Sequence, residues 1–230
     1  MNRLLAYYRQ IDKIWRLIWL FIFSGFVTLD AFFPGFFGIN FLKLLGIGLC
    51  LVYVIQKHRE DYLLQLAFAA TFIADLLLAV NNTSLFGVYV FAIAQFLHFS
   101  RLSKLKPRYI GLIGASISVF FLATAAFGAY SIILMGAIYA FFLISNLVLA
   151  FSWYKSARGQ KKNPAFCALA GFIFFACCDL CVTGSFFSGL HAMPFFFKRL
   201  FDFFAWVFYY PSQVLISNSS KVTKKVVPEI

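Results

Sequence analysis

Residues 63–80 read LLQLAFAATFIADLLLAV, eighteen residues with a single charge, that of Asp75. A helix crossing a bilayer needs about 20 mostly apolar residues, so this stretch is long enough to span one. Working outward in both directions, the same reading recurs. The expected spans are Trp15–Phe33, Phe36–Gln56, Leu63–Val80, Ser84–Arg101, Tyr109–Phe127, Tyr130–Ser152, Pro164–Phe187 and Phe195–Ile216. The breaks between them carry turn residues: Pro34-Gly35, Asn81-Asn82-Thr83, Pro107 and Asn163-Pro164. The fold expected is all-α, a polytopic membrane bundle of about eight transmembrane helices. It forms one domain over residues 1–217, followed by a short basic cytoplasmic tail, 218–230.

The 230 residues are 63% hydrophobic and only 12% charged, with a mean hydropathy of +0.87. A soluble domain is roughly 45–50% apolar and about 25% charged, and no soluble fold of this size has interior enough for the excess. The net charge of +12 would suggest nucleic acid in a soluble protein, but its placement excludes that partner. Seventeen of the 20 Lys and Arg residues lie in the N-terminal segment, the second, fourth and sixth gaps, and the tail. The first, third and fifth gaps carry none. Such alternation fits an even number of spans with both termini cytoplasmic, in a plasma or cytoplasmic membrane. The partner it implies is the lipid bilayer. The first apolar run lacks a small-residue cleavage site and reads as a helix that stays.

Five ionisable residues nonetheless sit inside apolar runs: Asp30, Lys43, Asp75, Asp179 and Asp202. Each costs about 2.5–3.5 kcal/mol at mid-membrane on insertion scales. Counted from the exoplasmic ends of their spans, all five fall within roughly 8 Å of each other in depth. Facing inward, they would line one polar cavity. Four carboxylates and one ammonium cannot all be charged in a low-dielectric cavity, so at least one Asp is expected to keep its proton. Asp30 and Asp202 lie nearest helix ends, where an interfacial position explains them better than function does. Asp75 and Asp179 are flanked by apolar residues on both sides.

A second set of polar residues accompanies them. Gln95 and His98 are spaced i, i+3 and share a helix face; Tyr209, Tyr210 and Gln213 occupy the last span. For His98 a plain interhelical hydrogen bond is an equal alternative to a functional role. Cys167, Cys177, Cys178 and Cys181 share one run without a histidine, so no disulfide framework and no metal site is expected there. They read as small packing residues. The 33 Phe residues read as packing and lipid-facing groups.

Taken in order, these residues resemble the lysoplasmalogenases, also called YhhN-type membrane proteins. Lys43-Leu44-Leu45 stands where that family has Lys-Pro-Leu, and Ala74-Asp75-Leu76-Leu77-Leu78 where it has Gly-Asp followed by leucines. Phe86-Gly87 leading to Ala94-Gln95 and His98 is similar to the third motif. Gly171 through Asp179 resembles Gly-x-x-x-Phe-x-x-Ser-Asp, with Cys178 in place of Ser, and Tyr209-Tyr210-Pro211-Ser212-Gln213 resembles Tyr-Tyr-x-x-Gln. The resemblance covers Lys43 to Gln213. It implies an eight-helix hydrolase, without metal or organic cofactor, whose substrate is a lysophospholipid. The bond cleaved would be the vinyl ether of a lysoplasmalogen, giving a fatty aldehyde and a glycerophospho-amine. Asp75 and Asp179 are the expected acid/base pair. Lys43, Gln95, His98, Tyr209, Tyr210 and Gln213 are expected to bind substrate or tune the pair. The same buried carboxyls would also serve a small-solute or proton-coupled transporter, which is the second reading.

Overall fold

The computed structural model describes residues 2–33, 38–81, 84–125, 130–190 and 194–220. The turn residues Pro34-Gly35 and Asn82-Thr83 and the basic tail from Lys221 lie outside the described residues. Eight α-helices account for nearly everything described: α1 (Asn2–Phe32), α2 (Gly38–Lys57), α3 (Tyr62–Val80), α4 (Leu85–Ser103), α5 (Pro107–Ala125), α6 (Tyr130–Ser156), α7 (Lys162–Leu190) and α8 (Phe195–Ser217). No strand occurs among the described residues.

Each expected span falls in one helix, to within a residue at its described ends; Phe36 and Phe127, ends of two of the spans, lie outside the described residues. Six of the eight are long and apolar enough to cross a membrane on their own, and the chain is a multi-pass helical membrane protein. The apolar stretch of α5 is shorter, Pro107–Ala123. The α8 helix is diluted by Lys198, Arg199 and Asp202 in its first turns. The α1 helix starts well before Trp15, because helix hydrogen bonds are internal and need not stop where apolar residues do. Pro164 lies in the first turn of α7, where its missing N–H is no loss.

Local chemistry sets two helix starts. The Asp61 carboxylate accepts from the Leu64 N–H at 3.2 Å and Ser84 Oγ from the Gly87 N–H at 3.2 Å, capping α3 and α4. Lys104, at φ 56°, closes α4 in the left-handed region.

Helix packing closes a ring. The α2 helix packs on α3, α3 on α4, α4 on α6, α6 on α7, α7 on α8, and α8 back on α2. Outside it, α1 lies against α2 and α8, and α5 against α4 and α6. Glycines permit the closest approaches. A Cβ at Gly171 of α7 would lie 3.1 Å from the Ser212 carbonyl oxygen of α8, and a Cβ at Gly46 would overlap the Tyr210 ring. One buried core joins Trp19 and Phe26 of α1 to Ile47, Phe68, Phe172, Tyr210 and Ile216. A smaller one around Phe96, Ile117, Met135 and Phe142 holds α5 in place. The outer surface is the reverse of a soluble protein's: Phe21, Leu122 and Leu180 are all more than two-thirds exposed. Lipid is the solvent that suits such a surface.

The packed domain reaches past Ser217. Asn218 Oδ1 accepts from Tyr53 Oη at 2.8 Å, and Ser219 and Ser220 are buried. These residues looked like tail in the sequence because they are polar, and their partners on α2, α4 and the α2–α3 turn were not visible there.

Candidate active site

An open cavity of about 760 Å³ lies inside the ring, a volume ordinary for a small-molecule site. Every ring helix lines it: Asn40 and Lys43 from α2, Asp75 from α3 with Asn81 at its C-cap, Phe91 from α4, Tyr139 from α6, Cys178 and Asp179 from α7, Trp206 and Tyr209 from α8. Among the described side chains, neither α1 nor α5 contributes. The wall includes the first turn of α2 and the last turn of α3, so the mouth is at the end of the bundle away from the basic loops. By the distribution of Lys and Arg, that end is exoplasmic.

Two carboxyls stand in this cavity on separate helices, and each accepts a hydrogen bond from a tyrosine on a third or fourth. Tyr209 Oη donates to Asp75 Oδ2 at 2.6 Å, and Tyr139 Oη donates to Asp179 Oδ2 at 2.5 Å. The helix pairs are distinct: α8 serves α3, and α6 serves α7. Asp75 is 7% exposed. The Phe91 ring packs edge-on to both tyrosines, 6.1 Å from Tyr139 and 6.3 Å from Tyr209, and so ties the two pairs into one wall. Cys178 is buried and lies within electrostatic reach of both carboxyls. Short hydroxyl–carboxyl bonds fix the rotamer of each acid and reduce the exposed lone pairs without neutralising it.

Lys43 lines the cavity as well. Its Nζ is 3.7 Å from Asp30 Oδ2 and 4.6 Å from the centre of the Trp206 ring. Asp202 acts electrostatically on the same ammonium and accepts from Ser185 Oγ at 2.5 Å. Of the five ionisable residues expected at one level, Lys43, Asp75 and Asp179 line the cavity. Asp30 is tied to it through Lys43, and Asp202 is exposed beside it.

The other expected site residues divide. Tyr209 lines the cavity; Gln95, His98, Tyr210 and Gln213 are buried beneath or behind it. Gln95 accepts twice from Asn146 Nδ2, at its side-chain and backbone oxygens, both at 2.9 Å. The His98 ring stands edge-on between Phe68 and Phe172. Tyr210 points the other way, stacked on Phe23 of α1, because neighbours on a helix are about 100° apart. Gln213 shares the Tyr209 face but lies one turn farther from the mouth, its Nε2 3.5 Å from Ser212 Oγ.

Two features escaped sequence reading. Tyr139 is one of 11 tyrosines, and nothing local marks it; its partner is 40 residues away. The other is a second charged cluster at the cytoplasmic end. Arg101, counted among the loop cations, is 5% exposed, and its guanidinium donates to the Ser219 carbonyl oxygen at 3.1 Å and to Ser219 Oγ at 3.0 Å. Asp61 lies 3.8 Å from it and accepts from Ser220 Oγ at 3.0 Å. His58, in the α2–α3 turn, is held below the ordinary imidazole range by burial, against the pull of Asp61.

The YhhN family model matches residues 39–220 of this chain, from the first turn of α2 through the Asp61–Arg101 cluster's last serine. No curated protein and no solved structure matched it.

Proposed function

Because the chain belongs to the YhhN family, we propose that it is a membrane hydrolase cleaving the vinyl-ether bond of a lysoplasmalogen. The observation that carries this is the meeting of Asp75 and Asp179 in one cavity, each fixed by a tyrosine. Vinyl-ether hydrolysis starts with transfer of a proton to the β-carbon, which leaves an oxocarbenium ion at the α-carbon. One carboxyl, neutral at the start, gives that proton and becomes a carboxylate. The other, ionised from the start, steadies the cation and takes a proton from water as the water oxygen bonds the α-carbon. The resulting hemiacetal collapses to a fatty aldehyde and the glycerol hydroxyl of a glycerophospho-amine. Glycosidases meet a comparable oxocarbenium with two carboxyl groups. A carboxylic acid that keeps its proton in an apolar site is an established solution for acid catalysis. The chain's own residues supply every proton transfer.

Two aspartates shared by a transporter would look similar at this level, so the test separates them. Purified protein in detergent is given lysoplasmenylethanolamine, and aldehyde release is followed. In deuterated water the aldehyde should carry one deuterium at the carbon next to the carbonyl. No aldehyde, together with solute flux in liposomes, would overturn the hydrolase.

A further inference from the structure

We infer that the mouth of the cavity is a headgroup subsite for a zwitterionic phospho-amine, with the Lys43 ammonium taking the phosphate and the Asp202 carboxylate taking the amine. The inference rests on the hydrolase reading and deepens it by naming which residues read the headgroup.

Order along α8 is the first ground. Asp202, Trp206 and Tyr209 are spaced i, i+4, i+7 and lie on one face. From the mouth inward, that face presents Asp202, then Trp206 with Lys43 over its ring, then Tyr209 with Asp75. Seven residues of helix separate the ends of this ladder, about 10 Å. A lysoplasmalogen, followed from its vinyl ether, presents glycerol, then phosphate, then amine. With the vinyl ether at Asp75 and Asp179, the phosphate falls at Lys43 and the amine at Asp202.

The state of each group is the second ground. At 3.7 Å the Lys43–Asp30 pair is looser than a charge-assisted hydrogen bond of about 2.7–2.9 Å. An ammonium has three donors, and a phosphate oxygen offers a tighter acceptor. Asp202 is exposed, and Ser185 fills one of its acceptor positions. Charge balance is the third. Lys43 with Asp30 and Asp202 sums to one negative charge. A zwitterionic headgroup leaves that sum unchanged, whereas an anionic one doubles it in a cavity walled largely by apolar side chains such as Val80, Val88, Phe91 and Val182.

The test compares substrates with the same vinyl ether and different headgroups: ethanolamine, phosphoglycerol, and 1-alkenylglycerol, which has no phosphate. The double variant Lys43→Met/Asp30→Asn removes both partners of the ion pair together, so neither is left behind as a lone charge. It should lower the kcat/KM ratio of the ethanolamine substrate over 1-alkenylglycerol ten- to hundredfold, chiefly through KM. That is the loss expected for one charge-assisted bond. Asp202→Asn should lower the preference for ethanolamine over phosphoglycerol about tenfold, the scale of a more exposed contact. Unchanged ratios in both variants overturn the subsite. Where native protein cleaves none of the three, the hydrolase reading fails separately, and binding of a saturated 1-alkyl lysophosphatidylethanolamine decides the subsite. Affinity lost in the double variant supports it, and affinity retained overturns it.

Discussion

The two ends of the bundle bury charge in opposite ways. At the cytoplasmic end, Arg101 and Asp61 face each other, and Ser219 and Ser220 complete them. Opposite charges are matched, and both side chains are buried. At the exoplasmic end, Asp75 and Asp179 receive one neutral hydroxyl each and border about 760 Å³ of open space. Matched, hydrogen-bonded charges hold helices in place; unmatched carboxyls beside a cavity carry a cost that a functional role explains. The contrast fits a structural role for the cytoplasmic pair and the reactive role proposed for the carboxyls.

The contrast breaks most visibly at the carboxyls. Asp75→Asn and Asp179→Asn should each lower kcat by roughly 10²–10⁴-fold, the usual worth of positioned acid–base catalysis, with the thermal transition in detergent nearly unmoved. A large loss of stability with residual activity would exchange the roles of the two ends. The reverse holds for the cytoplasmic pair. Arg101→Met leaves Asp61 buried without its cation and should cost about 3–5 kcal/mol, read as a lowered thermal transition, while Arg101→Met/Asp61→Asn recovers much of it.

Smaller effects sharpen the picture. Tyr139→Phe removes the hydroxyl bond to Asp179 and should reduce kcat about tenfold, as one hydrogen bond to a charged group is worth. It should also displace the pH–rate profile, which a purely packing role would leave alone. The smallest effect belongs to His58. Burial disfavours its protonated form in the folded protein, so below the ordinary imidazole value of about 6.5 the unfolded chain binds more protons. Stability should therefore decline as pH falls through 6.5, and His58→Gln should flatten that slope in thermal scans run from pH 7.5 to 5.

Much of this was legible in the residue order. Apolar run length located all eight helices, and depth counting placed Lys43, Asp75 and Asp179 at one level from the residue order alone. Depth alone could not give rotation, so Tyr209 and Tyr210 looked equivalent although one lines the cavity and the other faces α1. Gln95 is one turn deeper than Phe91, which lines the cavity, and His98 is deeper still; both were recognisable as buried but not as lying below the floor. Arg101 was hidden by its position. A cation in the last turn of α4 fits the cytoplasmic boundary equally well whether it meets water or Asp61, and Ser219 lies 118 residues away.

The ring's closure by α8 bears on how the protein is made. Synthesis runs from the N-terminus, so Asp75 is in the membrane 134 residues before Tyr209 exists, and Arg101 waits 118 residues for Ser219. Through that interval the nascent bundle holds an acid and a guanidinium with their last partners missing. Both ends are then completed by the same segment, Tyr209 to Ser220, arriving as a keystone. Cells that survey membranes for unsatisfied polar residues would find them in any chain whose α8 fails to dock. Failure of α8 to dock would therefore leave both ends of the bundle unfinished at once.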